Sequence, residues 1–121
     1  MMKKVFICSD TITGIYSGIY DAWKLVPKPG EVGIAIQGMV EQELFCDYIE
    51  ADESEQKALA VEKLIKRHLG YEVYWNLYHA VLSHDEKKGD AILGTMLEAK
   101  EIPNSKKIMN HLTSPYVRKV F

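Results

Sequence analysis

The longest helical pattern in the chain runs from Ser54 to Ser83 and divides at Gly70. In its first half, apolar residues recur at steps of three and four, which predicts an amphipathic helix with one buried stripe. The stripe consists of Ala58, Val61, Leu64, Ile65, His68 and Leu69. Asp52 and Glu55 have the spacing of a capping box at the start of this helix. Gly70 predicts its end, because helices commonly finish on a left-handed glycine.

The second half of this pattern is more apolar and predicts a second helix, packed on more than one side. Its stripe contains Val73, Tyr74, Leu77, Tyr78, Val81 and Leu82, with Trp75 beside it. A break at Gly70 leaves two alternatives, an αα-hairpin or a sharply kinked rod. We favour the hairpin.

Strand patterns are confined to the first 51 residues. Short apolar or alternating runs predict strands at Val5–Cys8, Val32–Gln37 and Leu44–Ile49, and we expect the first and the last to be neighbours. Helical periodicity follows them. The sequence therefore predicts an α+β fold, with a small, mostly antiparallel sheet from the N-terminal third covered by four or five helices. One domain is expected for 121 residues.

Asp10 and Thr11 follow the first strand, and either one can cap the helix that begins after them. Asp10 also lies at the carboxyl end of a strand, where α/β proteins often place functional groups, but capping already explains it. Gly14 and Gly18 stand one turn apart on this helix and predict a close approach to the sheet. The junction lacks a glycine-rich turn and a Gly-Lys-Thr/Ser motif, so no phosphate loop and no cofactor are predicted.

Charge is unevenly distributed along the chain. The net charge of -2 argues against a general polyanion binder, yet residues 1–60 hold five basic and ten acidic residues, and residues 61–121 hold ten and seven. The second half can therefore meet an acidic partner. Candidate contacts to DNA phosphates are Lys63, Lys66, Arg67, Lys106, Lys107, Arg118 and Lys119. Solvated helix faces explain the same basic residues about as well.

The remaining candidate chemistry is sparse. The aromatic residues of the second helix can stack on bases, although an aromatic stripe on a helix more often belongs to the core; they are Tyr71, Tyr74, Trp75 and Tyr78. The four histidines do not have the spacing of a helical metal pair, so no metal site is predicted; they are His68, His79, His84 and His111.

Cys8 and Cys46 are expected to be buried thiols in a reducing cytoplasm. The chain has no apolar run of about 18 residues and no secretory leader. We therefore expect a cytoplasmic protein without membrane contact.

The last residues of the chain predict a helix start without a helix body. Ser114-Pro115 has the form of an N-cap followed by proline at the first helical position, and only Tyr116 to Phe121 follow. We therefore expect a chain that is cut after Phe121. Its exposed apolar end is a candidate surface for a homo-oligomer.

Several stretches resemble one bacterial family. They are the corner CSD, the helix TITGIYSGIYDAW, the tract ELFCDYIEADESEQKALAVEKLIKRHLGYEVYWNLYHAVLS and the ending HLTSPYVRKVF. They are similar to the N-terminal half of DNA metabolism proteins that are encoded beside a radical-SAM protein. Some relatives in that family are joined to a uracil-DNA-glycosylase-like domain. The resemblance covers essentially the whole chain and implies a second half, but it implies no catalytic residue at any position.

The leading interpretation is a binding or accessory module in DNA metabolism or repair, with DNA and a radical-SAM protein as partners. One alternative is an enzyme on nucleic acid whose active site lies mostly in a missing C-terminal half, with Asp10 contributing at most one group. A structural or oligomerisation module is the other alternative. Whether the chain has an activity of its own stays open at this point.

Overall fold

Strands dominate the first half of the described chain and helices the second. The computed structural model describes residues 2–28, 30–39 and 45–100, apart from the side chain of Lys100. Within these residues the elements are β1 (Lys3–Cys8), α1 (Ile12–Trp23), β2 (Val32–Ile36), β3 (Cys46–Glu50), α2 (Glu55–Leu69), α3 (Tyr71–Val81) and α4 (Lys88–Lys100). The predicted helix starts after Pro103 and at Ser114 lie outside them.

The sheet has three parallel strands, with β1 in the centre between β2 and β3. Phe6 lies opposite Ile34 on one side and Ile49 on the other. The prediction that the first and last strands are neighbours is confirmed. The prediction of a mostly antiparallel sheet is wrong, although the fold is α+β overall.

The connections between the strands explain the parallel order. α1 carries the chain from the carboxyl end of β1 back to the start of β2, and parallel strands need such a crossover. The second connection joins Ile36 to Cys46, and its residues 40–44 lie outside the described part. The nearly continuous apolar runs VFIC and VGIAI are also typical of parallel strands. The antiparallel prediction gave this signal too little weight.

α1 packs closely on the sheet because it carries glycine where it meets β1. A Cβ built on Gly18 would lie 2.7 Å from the sulfur of Cys8, so the predicted close approach is confirmed. Thr11, one of the two predicted caps, is the N-cap, and its hydroxyl accepts a hydrogen bond from the backbone N–H of Gly14. The cap at Thr11 therefore fixes the start of α1, and Gly18 allows the helix to lie close to β1.

α4 covers the outer edge of β2. A carboxylate oxygen of Asp90 accepts a hydrogen bond from the backbone N–H of Ile34 at 2.7 Å. A Cβ built on Gly89 would lie 2.5 Å from Cγ2 of Ile34, so only glycine fits at this contact. An edge strand that is capped in this way cannot pair with another strand at that amide.

α2 and α3 are separate helices that contact each other, and the predicted break at Gly70 is confirmed. Gly70 has φ 88° and ψ 169°, a conformation that is essentially restricted to glycine and lies outside the left-handed helical region. The N-cap of α2 is Ser54, whose side chain accepts from the N–H of Lys57, so the predicted capping box at Asp52 is wrong. Ser54 therefore fixes the start of the hairpin, and Gly70 fixes the turn between its two helices.

The core lies between the sheet and the helices. α1 packs on β1 and β2, α2 packs on α1, and α3 contacts both α2 and α4. The largest fully buried side chains of the core include Tyr16, Ile15, Ile19, Ile34, Ile36, Ile65, Leu77, Ile92 and Leu93. None of the helices in the described ranges combines the length and apolar composition that a membrane span requires.

Candidate nucleic-acid interface

The aromatic residues of α3 divide between the core and the surface. Tyr74 is buried, whereas Tyr71 is 66% exposed and Trp75 is 52% exposed. The ring of Trp75 lies 5.4 Å from that of Tyr74 and 5.5 Å from that of Tyr78, in edge-to-face arrangements. Buried Tyr74 and half-buried Tyr78 therefore support the exposed indole, and its outer surface remains accessible.

Lys66 joins the basic end of α2 to these rings. Its ammonium group lies 4.6 Å from the ring centroid of Tyr74 and 5.4 Å from that of Tyr71. Both distances are within the range of a cation–π interaction. We use the name basic-aromatic surface for the set Lys63, Lys66, Arg67, Tyr71 and Trp75.

Glu62 fixes the inner border of this surface. Its Oε1 accepts hydrogen bonds from Lys66 at 2.9 Å and from the hydroxyl of Tyr74 at 3.1 Å. The hydrogen bond from Lys66 is the main cause that lowers the pKa of Glu62 below its ordinary value. Burial, followed by the hydrogen bond to Glu62, raises the pKa of Tyr74 to about 12. At neutral pH the carboxylate is charged, and the Tyr74 hydroxyl keeps its proton.

The predicted basic residues are only partly within the described chain. Lys63 and Arg67 are exposed on α2, and neither forms an ion pair with another described residue. The other four predicted contacts, Lys106, Lys107, Arg118 and Lys119, lie outside the described residues. Of these three residues, Lys66 is the one that contacts the aromatic rings, and Lys63 and Arg67 are its neighbours on α2 at steps of three and one.

A second polar cluster lies where the parallel strands end. We call this set the carboxyl edge: Ser9, Asp10, Thr11, Glu53 and Lys88. The two oxygens of Glu53 accept from the N–H of Ser9 at 3.1 Å and from its hydroxyl at 2.7 Å. The hydroxyl of Ser9 gives its only hydrogen to Glu53, so the Thr11 hydroxyl donates to Ser9 across 2.9 Å. This chain of bonds ties the turn before α1 to the loop before α2.

Lys88 completes the carboxyl edge from the first turn of α4. Its side chain is 4% exposed, and its ammonium group lies 2.5 Å from Oδ1 of Asp10. It also donates to the carbonyl oxygens of Val81 at 2.7 Å and Ser83 at 2.9 Å. Because an ammonium group has three hydrogens, these bonds use its whole donor capacity. Lys88 therefore joins the end of β1 to the α3–α4 connection.

The thiol and imidazole groups add no reactive centre to this edge. Burial, with a smaller contribution from the charge of Glu53, raises the pKa of the Cys8 thiol to about 12, so it stays protonated and is a poor nucleophile. The histidines of the described chain, His68, His79 and His84, are exposed, and His111 lies outside it. In the described ranges no three His, Cys, Asp or Glu residues come together in a way that could hold a metal ion.

Sequence reasoning missed Lys88 and Glu53. Lys88 contacts a residue 78 positions away, and Glu53 contacts one 44 positions away. No local spacing marks either pair, because the sheet order and the position of α4 bring them together. The basic-aromatic surface was accessible to sequence reasoning because its residues are close in the chain.

Comparison with known proteins gives no match: neither a family model, nor a curated protein, nor a solved structure matches this chain.

Proposed function

We propose that this chain is a binding module that contacts single-stranded DNA through its basic-aromatic surface. The observation that carries the proposal is the exposed ring of Tyr71 beside Lys66, at the basic end of α2, with the exposed ring of Trp75 one turn further along α3. Bases stack on exposed aromatic rings, and cations next to those rings hold the backbone phosphates. A duplex keeps its bases stacked inside, so the aromatic rings favour a single strand.

Binding at this surface should depend on salt and have little base preference. Phosphate contacts release condensed counterions and so weaken as salt rises, and they carry no sequence information. Stacking tolerates every base because every base has a flat face. The acidic first half of the chain repels phosphate and so restricts the strand to the second half.

The biological setting in this proposal comes from the sequence resemblance. From that resemblance we propose a role in DNA metabolism or repair and a radical-SAM protein as the protein partner. We propose the cytoplasm as the location. Self-association through the end of the chain stays a prediction, because its residues lie outside the described part. The carboxyl edge lends no support to the enzyme alternative, since Asp10 binds Lys88 and Ser9 binds Glu53 within the protein.

Tryptophan fluorescence tests this proposal, because the chain has two tryptophans and only Trp75 belongs to the surface. In a Trp23→Phe variant, addition of single-stranded DNA should quench the remaining Trp75 emission. In the matched Trp75→Phe variant, the emission of half-buried Trp23 should change little. Equal quenching in both variants, or none in either at low salt, would contradict stacking at Trp75.

A further inference from the structure

A cleft of about 250 Å³ opens between α1 and α2, beside the basic-aromatic surface. Its walls include two carboxylates, two tyrosines, a hydroxyl and an apolar side chain: Glu55, Glu62, Tyr16, Tyr74, Thr13 and Leu59. Pockets for drug-sized ligands usually enclose about 300–1,000 Å³. This cleft therefore suits a single ring system.

Tyr16 is the unusual member of the lining. It is 1% exposed, and its buried hydroxyl has no hydrogen-bond partner among the described residues. Burial, followed by the electrostatic influence of Tyr74 and Glu62, raises the pKa of Tyr16, so the hydroxyl keeps its proton. A buried polar group without a partner is rare in proteins and requires an explanation. A polar ligand in the cleft would supply the missing bond after a small side-chain movement, which is common when ligands bind.

The charges of the lining define the chemistry of the ligand. The carboxylates of Glu55 and Glu62 only accept hydrogen bonds, so the ligand should present N–H donors. Tyr16 keeps its proton, so its hydroxyl can donate a hydrogen bond, and the ligand should also carry an acceptor oxygen or nitrogen. A planar ring with N–H donors and an acceptor on its edges satisfies both conditions.

We propose that the cleft takes one nucleobase with N–H donors on its pairing edge, with guanine preferred. Guanine presents adjacent ring and amino N–H groups, which can bind one carboxylate in bidentate fashion. Thymine presents one N–H between two carbonyl oxygens, and those oxygens would face the carboxylates. The cleft would thus add a base preference that the surface alone does not have.

The position of the cleft connects it to the proposed strand. Glu62 and Tyr74 line the cleft, and the same two residues bind Lys66 at the border of the basic-aromatic surface. A strand that stacks on Trp75 and lies along Lys66 can therefore turn one base inward between α1 and α2. This inference rests on the proposed function for the delivery of the base, although a free nucleoside can test the cleft alone.

The test compares a dT oligonucleotide with one in which a single central base is dG. The wild-type protein should bind the dG oligonucleotide at least about fivefold more tightly, the lower limit for one good bidentate pair. Tyr16→Phe removes only the hydroxyl and should reduce this preference while the dT affinity stays unchanged. Tyr20→Phe, the same change on the same helix but outside the cleft lining, should keep the preference.

Thermal unfolding separates a binding effect from a folding effect. Tyr16→Phe should unfold at the same temperature as wild type or higher, because the hydroxyl has no partner to lose among the described residues. If the Phe variant keeps the full dG preference, Tyr16 does not contact the base and the inference is overturned.

The remaining outcomes distinguish the cleft from the surface. Equal binding of the dT and dG oligonucleotides would overturn the base cleft and leave the proposed function intact. If neither oligonucleotide binds while guanosine shifts the NMR signals of the cleft residues, the cleft stands and the proposed function fails. If neither the oligonucleotides nor guanosine bind, both proposals are overturned.

Discussion

The carboxyl edge and the basic-aromatic surface are both rich in polar and charged groups, but they differ in how those groups are satisfied. At the carboxyl edge, Lys88 uses all three hydrogens within the protein, and both oxygens of Glu53 bind Ser9. On the basic-aromatic surface, Trp75 and Arg67 are exposed. The first region resembles an active site by position, and the second resembles a binding site by composition.

This difference shows that polar groups at a strand end are not thereby free to bind a ligand. Functional sites on parallel sheets occur beyond the carboxyl ends of the strands. Here the polar groups at that location bond to one another and so connect the end of β1 to α4 and to the loop before α2. The surface formed by α2 and α3 offers the exposed rings of Tyr71 and Trp75 and the charges of Lys63 and Arg67 to a partner.

The largest expected effect is on folding, from loss of the buried ammonium at the carboxyl edge. Lys88→Ala leaves Asp10 and the carbonyls of Val81 and Ser83 without their donor, and should lower the free energy of unfolding by about 2–3 kcal/mol. The cost stays below that of a fully buried pair, about 3–5 kcal/mol, because Asp10 is 47% exposed. Urea denaturation measures it, with the exposed neighbour Lys87→Ala as control. Equal stability of the two variants would show that the edge is not structural.

The next effect is on binding. Trp75→Ala should weaken binding of single-stranded DNA by about 1–3 kcal/mol, the usual contribution of one stacked base. Because the other half of the indole packs against Tyr74 and Tyr78, the free energy of unfolding should also fall by about 1 kcal/mol, so binding is measured where the variant is folded. Leu25→Ala, which truncates another partly exposed apolar side chain away from α3, is the control and should bind normally. A folded Trp75→Ala variant with wild-type affinity would exclude stacking there.

A smaller loss of stability is expected at the exposed part of the carboxyl edge, where Glu53 binds Ser9, than at the buried part around Lys88. Glu53→Ala removes two hydrogen bonds to Ser9 and should cost about 1 kcal/mol of unfolding free energy, because water can replace the lost partner at this exposed position. Lys88→Ala should therefore cost more than Glu53→Ala in the same urea experiment. The reverse order would mean that the loop before α2 stabilises this edge more strongly than α4 does.

The smallest effect depends on pH and concerns Glu62. Its pKa is lowered in the folded state, so its contribution to stability is present above the ordinary pKa of 4.5 and is lost as pH falls through the folded pKa. Since the pair with Lys66 is partly exposed, the contribution should be at most about 1 kcal/mol. Glu62→Gln should be less stable than wild type at pH 7, and the difference should shrink below pH 4.5. A difference that is independent of pH would contradict the ion pair.

Local features of the fold could be predicted from the sequence. The break at Gly70 and the cap at Thr11 depend on residues that are adjacent in the chain. Strand direction could not be inferred in the same way, because it depends on how the connections run after the strands have formed. The apolar runs in β1 and β2 were the available signal for parallel order.

The candidate site was predictable only in part, for a related reason. The spacing that makes Tyr74 and Trp75 neighbours on a helix cannot show which ring faces the core, because that depends on how α3 packs on α2 and α4. The burial of Tyr16 and its unpartnered hydroxyl follow from the surrounding structure. Long-range pairs such as Asp10 with Lys88 leave no periodic trace in the sequence.

The salt dependence of single-stranded DNA binding tests the central claim most directly. Fluorescence anisotropy of a labelled dT oligonucleotide should show an affinity that falls with rising salt. In Lys66→Glu/Arg67→Glu, binding should be weaker and the log–log slope smaller by about 1.4, since each lost phosphate contact removes about 0.7. The charge-matched control Lys28→Glu/Lys87→Glu should keep the wild-type slope. If wild type has no salt-sensitive affinity at low ionic strength, or if both double variants change equally, the basic-aromatic surface is not a DNA-binding site.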